Sequence, residues 1–274
     1  MSTIRIGDLE VNRLGFGAMR VIDNEDIWGE PTDRRHAIKV LRRAVELGVT
    51  FFDTAESYGP HTDEILIAEA LHPYPKGFVV ATKCGLSRPR PARWDDDCRP
   101  EKLWKDLEGS LNRLKLDRID LYQLHTVDSK VPLEVSVGTL AAMQREGKVR
   151  HVGLSNVTVK QLEAARKILP IVSVQNRYSL NDRSSEDVLL HCEKSGIAFL
   201  PWYPLGDGSA LRVSKVKKLA EKLKASPAQV AIAWLLKKSP VMLPIPGTGN
   251  LAHLEENVAA AKLQLSNEDF AALG

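Results

Sequence analysis

Apolar residues along the chain fall into two alternating rhythms. Short runs of contiguous or alternating apolar residues are followed by longer stretches with apolar side chains at three- and four-residue steps. These are the spacings of a strand and of an amphipathic helix. Ile4–Ile6 and Leu9–Val11 flank Gly7-Asp8 and predict a small opening hairpin. Leu14–Met19 reads as a first strand. Asp33–Leu47 reads as a helix, with Ile38, Leu41 and Val45 on one face and Gly48 as its stop. Further strands are predicted at Thr50–Asp53, Phe78–Lys83, Ile119–His125, Val149–Ser155, Ile171–Gln175, Ile197–Trp202 and Val241–Ile245. Helices are predicted between them at Asp63–Leu71, Pro100–Leu114, Leu133–Glu146, Thr158–Leu169, Ser184–Lys194 and Leu251–Ala261. Gly85–Arg99, rich in Arg, Pro and Asp, reads as a loop. Two helices, about Val213–Lys224 and Pro227–Lys237, follow the seventh strand, and Asn267–Leu273 is a short terminal one.

Eight strands separated by helices call for a parallel sheet, and eight such units in 274 residues suit a closed barrel. The expected fold is therefore α/β: a (β/α)8 TIM barrel with a short N-terminal hairpin, one extra helix after strand seven and a short C-terminal helix. An open doubly wound sheet would want a third glycine after the first strand, and Gly15-Phe16-Gly17-Ala18-Met19-Arg20 has two. With no linker and no longer repeat, residues 1–274 read as one domain.

Composition narrows the picture. The chain is 43% hydrophobic and 27% charged with a net charge of +3, which excludes a disordered chain and gives no nucleic-acid footprint. No apolar stretch is long enough for a membrane span. The start of the chain lacks the apolar block of a signal peptide. The three cysteines, Cys84, Cys98 and Cys192, form no disulfide framework and no zinc spacing. A cytoplasmic location is the simplest expectation.

The chemistry sits where strands end, the working face of such a barrel. Strand two ends at Asp53, with Tyr58 in the following loop; strand three ends at Lys83 and strand four at His125. A buried Lys needs a partner, and Asp53 on the neighbouring strand can be that partner. A phenol titrates near ~10 and is a poor acid at neutral pH, but a nearby ammonium lowers that value. His125 can donate to a substrate oxygen. The set permits general-acid and electrostatic catalysis of carbonyl reduction. No metal-ligand spacing accompanies it, so the hydride is expected from an organic donor.

At this point the residues resemble a known family. Phe52-Asp53-Thr54-Ala55-Glu56-Ser57-Tyr58-Gly59, Ala81-Thr82-Lys83 and Asp120-Leu121-Tyr122-Gln123-Leu124-His125 are similar to the Asp/Tyr, Lys and His motifs of the aldo-keto reductases, NAD(P)H-dependent (β/α)8 enzymes. Gly153-Leu154-Ser155-Asn156, Val174-Gln175-Asn176, Pro201–Gly206 and Pro244–Thr248 resemble further family segments, in order, over nearly the whole chain. The resemblance implies Tyr58 as general acid, Lys83 as its modulator, Asp53 as the partner of Lys83 and a neighbour of the cofactor, and His125 as the group that orients the carbonyl. It implies that Ser155, Asn156 and Gln175 hold the nicotinamide carboxamide. Trp202 would stack on the ring, with Tyr203 the near alternative. Pro204, Leu205 and Gly206 would reach the pyrophosphate, and Gly17, Ala18 and Met19 would line the cofactor. Ile245, Pro246, Gly247, Thr248, Gly249, Asn250, His253, Glu256 and Asn257 would lie on the adenosine side.

Two departures from the family pattern stand out. Gly247 and His253 occupy the positions where many members carry a Lys and an Arg for the 2′-phosphate of NADPH. Thr248, Asn250, His253 and the following helix N-terminus are the residues left to hold a phosphate. The expected cofactor is NADPH, with NADH the alternative. The loops are also short, so no long flap is expected over the cofactor. Trp28, in the loop 21–31, and Trp94, in the loop 85–99, would frame the substrate. Arg88-Pro89-Arg90-Pro91-Ala92-Arg93 reads either as a solvated basic loop or as an attraction for an anionic substrate. The expected partner is a small carbonyl compound, with no nucleic acid and no membrane, and the chain is expected as a monomer or weak homo-oligomer. Two other functions remain open: a cofactor-binding redox-sensing regulatory subunit, and an NAD-dependent alcohol dehydrogenase running the same chemistry in reverse.

Overall fold

The computed structural model describes residues 2–274. Its centre is a parallel sheet of seven strands: β3 (Phe16–Gly17), β4 (Phe51–Asp53), β5 (Val79–Cys84), β8 (Ile119–Leu124), β9 (Val149–Ser155), β10 (Ile171–Arg177) and β11 (Ala198–Trp202). They lie side by side in chain order. Helices α1 (Arg34–Glu46), α2 (Thr62–Leu71), α3 (Pro100–Leu114), α4 (Leu133–Arg145), α5 (Val159–Arg166) and α6 (Glu186–Ser195) connect them on the outside. After β11 come α7 (Ser214–Leu223), the extra helix, then α8 (Pro227–Lys238), α9 (Leu251–Ala259) and the terminal α10 (Asn267–Leu273). This is the (β/α)8 fold expected. Among the described residues no helix is long and apolar enough to cross a membrane.

Local chemistry sets the helix boundaries. Asp33 caps α1 by accepting from the His36 N–H at 3.0 Å. Thr158 and Ser226 each close a capping box with a Gln three residues on, at α5 and α8, and Pro227 occupies the first turn of α8.

The strand period of two sorts the core. In β4, Phe51 points into the barrel and Phe52 into the helix layer; in β5, Val79 and Ala81 point in and Val80 out; in β8, Leu121 points in and Tyr122 out. The inner cluster also takes Leu200, Leu243 and Ile245, together with Ile4, Ile6, Leu9 and Val11 of the opening hairpin, β1 (Thr3–Ile6) and β2 (Leu9–Asn12). That hairpin therefore plugs the floor with apolar side chains.

The sequence differs from the structure at the seam. Val241–Ile245 was expected as an eighth strand, but only an isolated bridge, Met242 with Phe199, forms there. The reason is Pro244 and Pro246, which have no N–H to donate. The barrel still closes, because their carbonyls accept: Gly15 N–H donates to Pro244 O at 2.9 Å and Gly17 N–H to Pro246 O at 3.4 Å. On the other edge Phe199 N–H donates to Val241 O at 2.8 Å and Leu243 N–H to Phe199 O at 2.9 Å. A second difference lies in residues 85–99, expected as loop. They contain an antiparallel hairpin, β6 (Leu86–Arg90) and β7 (Arg93–Asp96), turned by Pro91-Ala92 with Ala92 at φ 57°. Pro89 and Pro91 hide this strand pair from a pattern reading.

The seam needs close backbone approach. A Cβ added at Gly247 would stand 2.3 Å from Gly17 O, and one added at Gly17 would stand 2.7 Å from Ile245 O. Gly247→Ala is expected to cost about 1–3 kcal/mol, read as a lower urea midpoint. An unchanged midpoint would show that the seam has slack.

Candidate active site

The inward positions one step above the apolar layers are polar. Lys83 on β5 is fully buried, at 0% exposure. Its Nζ donates to Asp53 Oδ2 at 2.7 Å, to the Thr54 carbonyl oxygen at 2.8 Å and to the Tyr58 hydroxyl at 3.3 Å. The other oxygen of Asp53 accepts from Gln175 Nε2 at 2.8 Å and Gln123 Nε2 at 3.2 Å. Tyr58 is 7% exposed. Its ring stands edge-on to His125, with centroids 5.8 Å apart, and to Trp94, 6.4 Å apart. Ser57 Oγ lies 3.5 Å from His125 Nδ1. Residues read as strand-end neighbours in the sequence are thus brought together in one corner.

Charge and burial compete at each group. Burial alone would push the Lys83 ammonium down, but the charges of Asp53 and Tyr58 and the hydrogen bonds it donates to both outweigh it and hold it above the ordinary lysine value. Burial raises the Tyr58 phenol above its ordinary value; the Lys83 charge pulls the other way without overcoming it. The net direction is opposite to that expected from the Lys–Tyr pairing alone, because desolvation of the phenolate is the larger effect. Desolvation, and then the Lys83 charge, push His125 well below its usual value, so its imidazole is neutral at physiological pH.

A second polar layer backs the first. Asp63, fully buried at the start of α2, accepts from Thr54 Oγ1 at 2.6 Å, while its backbone N–H donates to the Tyr58 carbonyl at 3.3 Å. Its other carboxyl oxygen has no partner. Burial, with the neighbouring Glu64 charge adding and the Thr54 bond opposing, raises Asp63 to about 7. Beside it, Lys102 donates to Glu56 Oε1 at 3.2 Å and also pairs with Asp106, which in turn accepts from Gly85 N–H at 3.1 Å.

The corner opens into a cavity of about 460 Å³, within the range of small-molecule sites. Of the residues expected at the site, Gly17, Met19, Asp53, Tyr58, Trp94, His125, Ser155, Asn156 and Gln175 line it. So do Trp202, Tyr203, Pro204, Leu205, Ile245, Pro246 and Gly247. Lys83 lies beneath the wall and Ala18 is buried behind it. Trp28, Gly206, Thr248, Gly249, Asn250, His253, Glu256 and Asn257 are not on the wall. Asn250 instead caps α9, accepting from Ala252 and His253 N–H at 2.8 and 3.1 Å, and Thr248 Oγ1 accepts from Asn250 N–H at 3.0 Å. Glu256 accepts from the Ser226 hydroxyl. At Gly247 the seam leaves no room for a Cβ unless the facing backbone of Gly17 shifts.

Asn156, held at φ 58°, donates to the His125 carbonyl at 3.0 Å and accepts from Trp202 Nε1 at 2.9 Å, so the Trp202 indole is pinned over the wall. A planar aromatic face beside the amide and hydroxyl groups of Asn156, Gln175 and Ser155 fits a planar ring bearing a carboxamide. Sequence reading missed Gln123, Ser57, Leu86 and Thr126. It also missed Arg20 and Asp207, which reach across the cavity mouth at 3.2 Å. Gln123 left a signal, a lone polar residue at an inward position of an apolar strand. Arg20 and Asp207, 187 positions apart, left none.

Comparison with known proteins accords with this geometry. Residues 13–274 match the model of the aldo/keto reductase family. The chain is 49% identical over 272 residues to an uncharacterized oxidoreductase of Schizosaccharomyces pombe, covering 99% of this chain and 88% of that one. It is 43% identical over 278 residues to pyridoxine 4-dehydrogenase of Escherichia coli, covering 99% and 97%. The solved aldo/keto reductase from Klebsiella pneumoniae in complex with NADP and acetate superimposes with a TM-score of 0.84 at 25% identity, covering 99% of this chain and 93% of that one. The chain belongs to the aldo/keto reductase family. It is an NAD(P)H-dependent oxidoreductase whose class acts on small carbonyl compounds.

Asp63 carries a stability signature. It binds its proton more tightly in the folded state, at about 7, than in the unfolded chain, at about 4. Its contribution is therefore fully present below about pH 4 and is lost as pH rises toward 7. Across that window the urea midpoint of Asp63→Asn should gain on that of the wild type. Parallel curves would mean that Asp63 ionises normally.

Proposed function

We propose that this protein reduces aldehydes or ketones to alcohols with NADPH, and that Tyr58 is the general acid. The observation that carries the reading is the Tyr58 hydroxyl 3.3 Å from the Lys83 ammonium, with Asp53 2.7 Å behind it, at the end of a cavity whose wall suits a nicotinamide. That ring supplies hydride to the carbonyl carbon when bound. Tyr58 donates its proton to the carbonyl oxygen as charge develops there. Lys83 stabilises the resulting phenolate, and Asp53 keeps Lys83 charged. Neutral His125 donates an N–H to the same oxygen. Ser155, Asn156 and Gln175 would hold the carboxamide and Trp202 would stack on the ring, with Arg20 and Asp207 at the cavity's edge. Release of the alcohol leaves Tyr58 to regain a proton from solvent.

The raised phenol favours the protonated acid, the form reduction needs. Tyr58→Phe should lower turnover about 10²–10⁴-fold while NADPH binding stays within about twofold. A variant retaining near full turnover would sink the assignment. Pyridoxine and its 4-aldehyde are the first pair to test, because the relative 43% identical along the chain is named for pyridoxine. Alcohol oxidation uses the same residues in reverse and is the second reading that this relative favours.

Preference for NADPH is supported by the NADP-bound relative. A fluorescence titration following Trp202 should show NADPH binding about tenfold tighter than NADH, about 1.4 kcal/mol. Equal affinity would assign the chain to either cofactor.

A further inference from the structure

The hairpin β6–β7 reaches the cavity through Leu86 and Trp94, and the loop 21–31 packs behind it. Arg88 joins them. It is 7% exposed, whereas its neighbours Arg90 and Arg93 face solvent and Arg93 pairs with Asp95. Its guanidinium carbon lies 3.7 Å from the Trp94 ring centroid and 5.4 Å from that of Trp28. One terminal nitrogen donates to the Asp26 carbonyl at 2.8 Å, the other to the Ile27 carbonyl at 3.4 Å, and the buried Nε has no partner. Among the described residues no carboxylate pairs with it. A planar cation at 3.7 Å is a face-on stack.

Moving away from the site, the contacts run Tyr58, Trp94, Arg88, Trp28. Trp94 lines the cavity; Arg88 and Trp28 do not. Trp94 is 39% exposed, so without the stack its indole would be free to swing into solvent. The basic run 88–93 thus resolves into one structural cation and two solvated ones, and neither reading made from the sequence describes Arg88. An anionic substrate would find this guanidinium already covered by rings and carbonyls.

We infer that Arg88 is a positioning residue that fixes Trp94 as a flat wall beside Tyr58, and so makes the enzyme discriminate in favour of carbonyl substrates carrying a planar ring over short aliphatic ones. This rests on the reductase reading above for its turnover test. A ring-bearing substrate loses the wall it packs against when Trp94 is released, whereas a short aldehyde has little surface to pack there.

The test compares kcat/KM for benzaldehyde and propanal in wild type, Arg88→Met, Arg88→Lys, Trp94→Leu and the Arg88→Met/Trp94→Leu double variant. The benzaldehyde-to-propanal ratio should fall about tenfold in Arg88→Met and less in Arg88→Lys, which keeps charge but not the planar stack. NADPH affinity should stay within about twofold. The double variant should match Trp94→Leu alone, because Arg88 acts through Trp94. A ratio unchanged in Arg88→Met, or losses that multiply in the double variant, would overturn the inference. If Arg88→Met does not fold, Arg88→Lys carries the same comparison. Binding of benzyl alcohol, read by Trp fluorescence, reports the wall without turnover: weaker binding in the Arg88 variants supports it and equal binding overturns it. Absence of turnover on both aldehydes in the wild type would instead count against the reductase reading.

Discussion

An ammonium group removed from water must be surrounded by oxygens, and Lys83 imposes that demand on the top of the barrel. Asp53, the Thr54 carbonyl and the Tyr58 hydroxyl meet it. The demand then propagates. Asp53 has a second oxygen that needs donors, so Gln175 and Gln123 turn inward from two other strands. The Lys83 charge adds to desolvation in keeping His125 neutral. Replacing the pair with apolar residues would relieve the desolvation of both charges. What the pair contributes is a fixed relation between a phenol and a cation, which an apolar core cannot supply.

Holding that corner rigid is the task of layers above and below. Beneath, apolar side chains from alternate strand positions and the opening hairpin fill the barrel interior. At the side, Asp63 ties both ends of the Tyr58 loop, through its carboxyl to Thr54 and its N–H to Tyr58. Along the seam, two prolines give up donors but keep acceptors, and Gly17 and Gly247 allow the chains to approach closely enough to use them.

The outer segments are ones the barrel does not constrain. The β6–β7 hairpin and the loop 21–31 are joined through the Arg88 stack rather than by a shared strand. Asn250 and Thr248 serve the start of α9. The exposed ion pair Arg20–Asp207 lies at the cavity's edge, a pair of the kind that adds little stability in water.

Sequence alone determined the strand–helix alternation, the fold class and the family, because periodicity and capping are local and the Asp53, Tyr58, Lys83 and His125 motifs sit at strand ends. It could not determine what burial does to charge. The lysine was read as lowering the Tyr58 phenol, and only the packed structure decides that desolvation outweighs it. The eighth strand failed for a reason visible in the sequence, two prolines, yet only the tertiary structure shows their carbonyls closing the barrel. Residues 85–99 were read as loop because prolines mask strand pattern. The Arg88 stack and the Arg20–Asp207 pair unite positions far apart in the chain or hidden within a basic run. Such contacts depend on where the loops come to rest, and no local pattern encodes them.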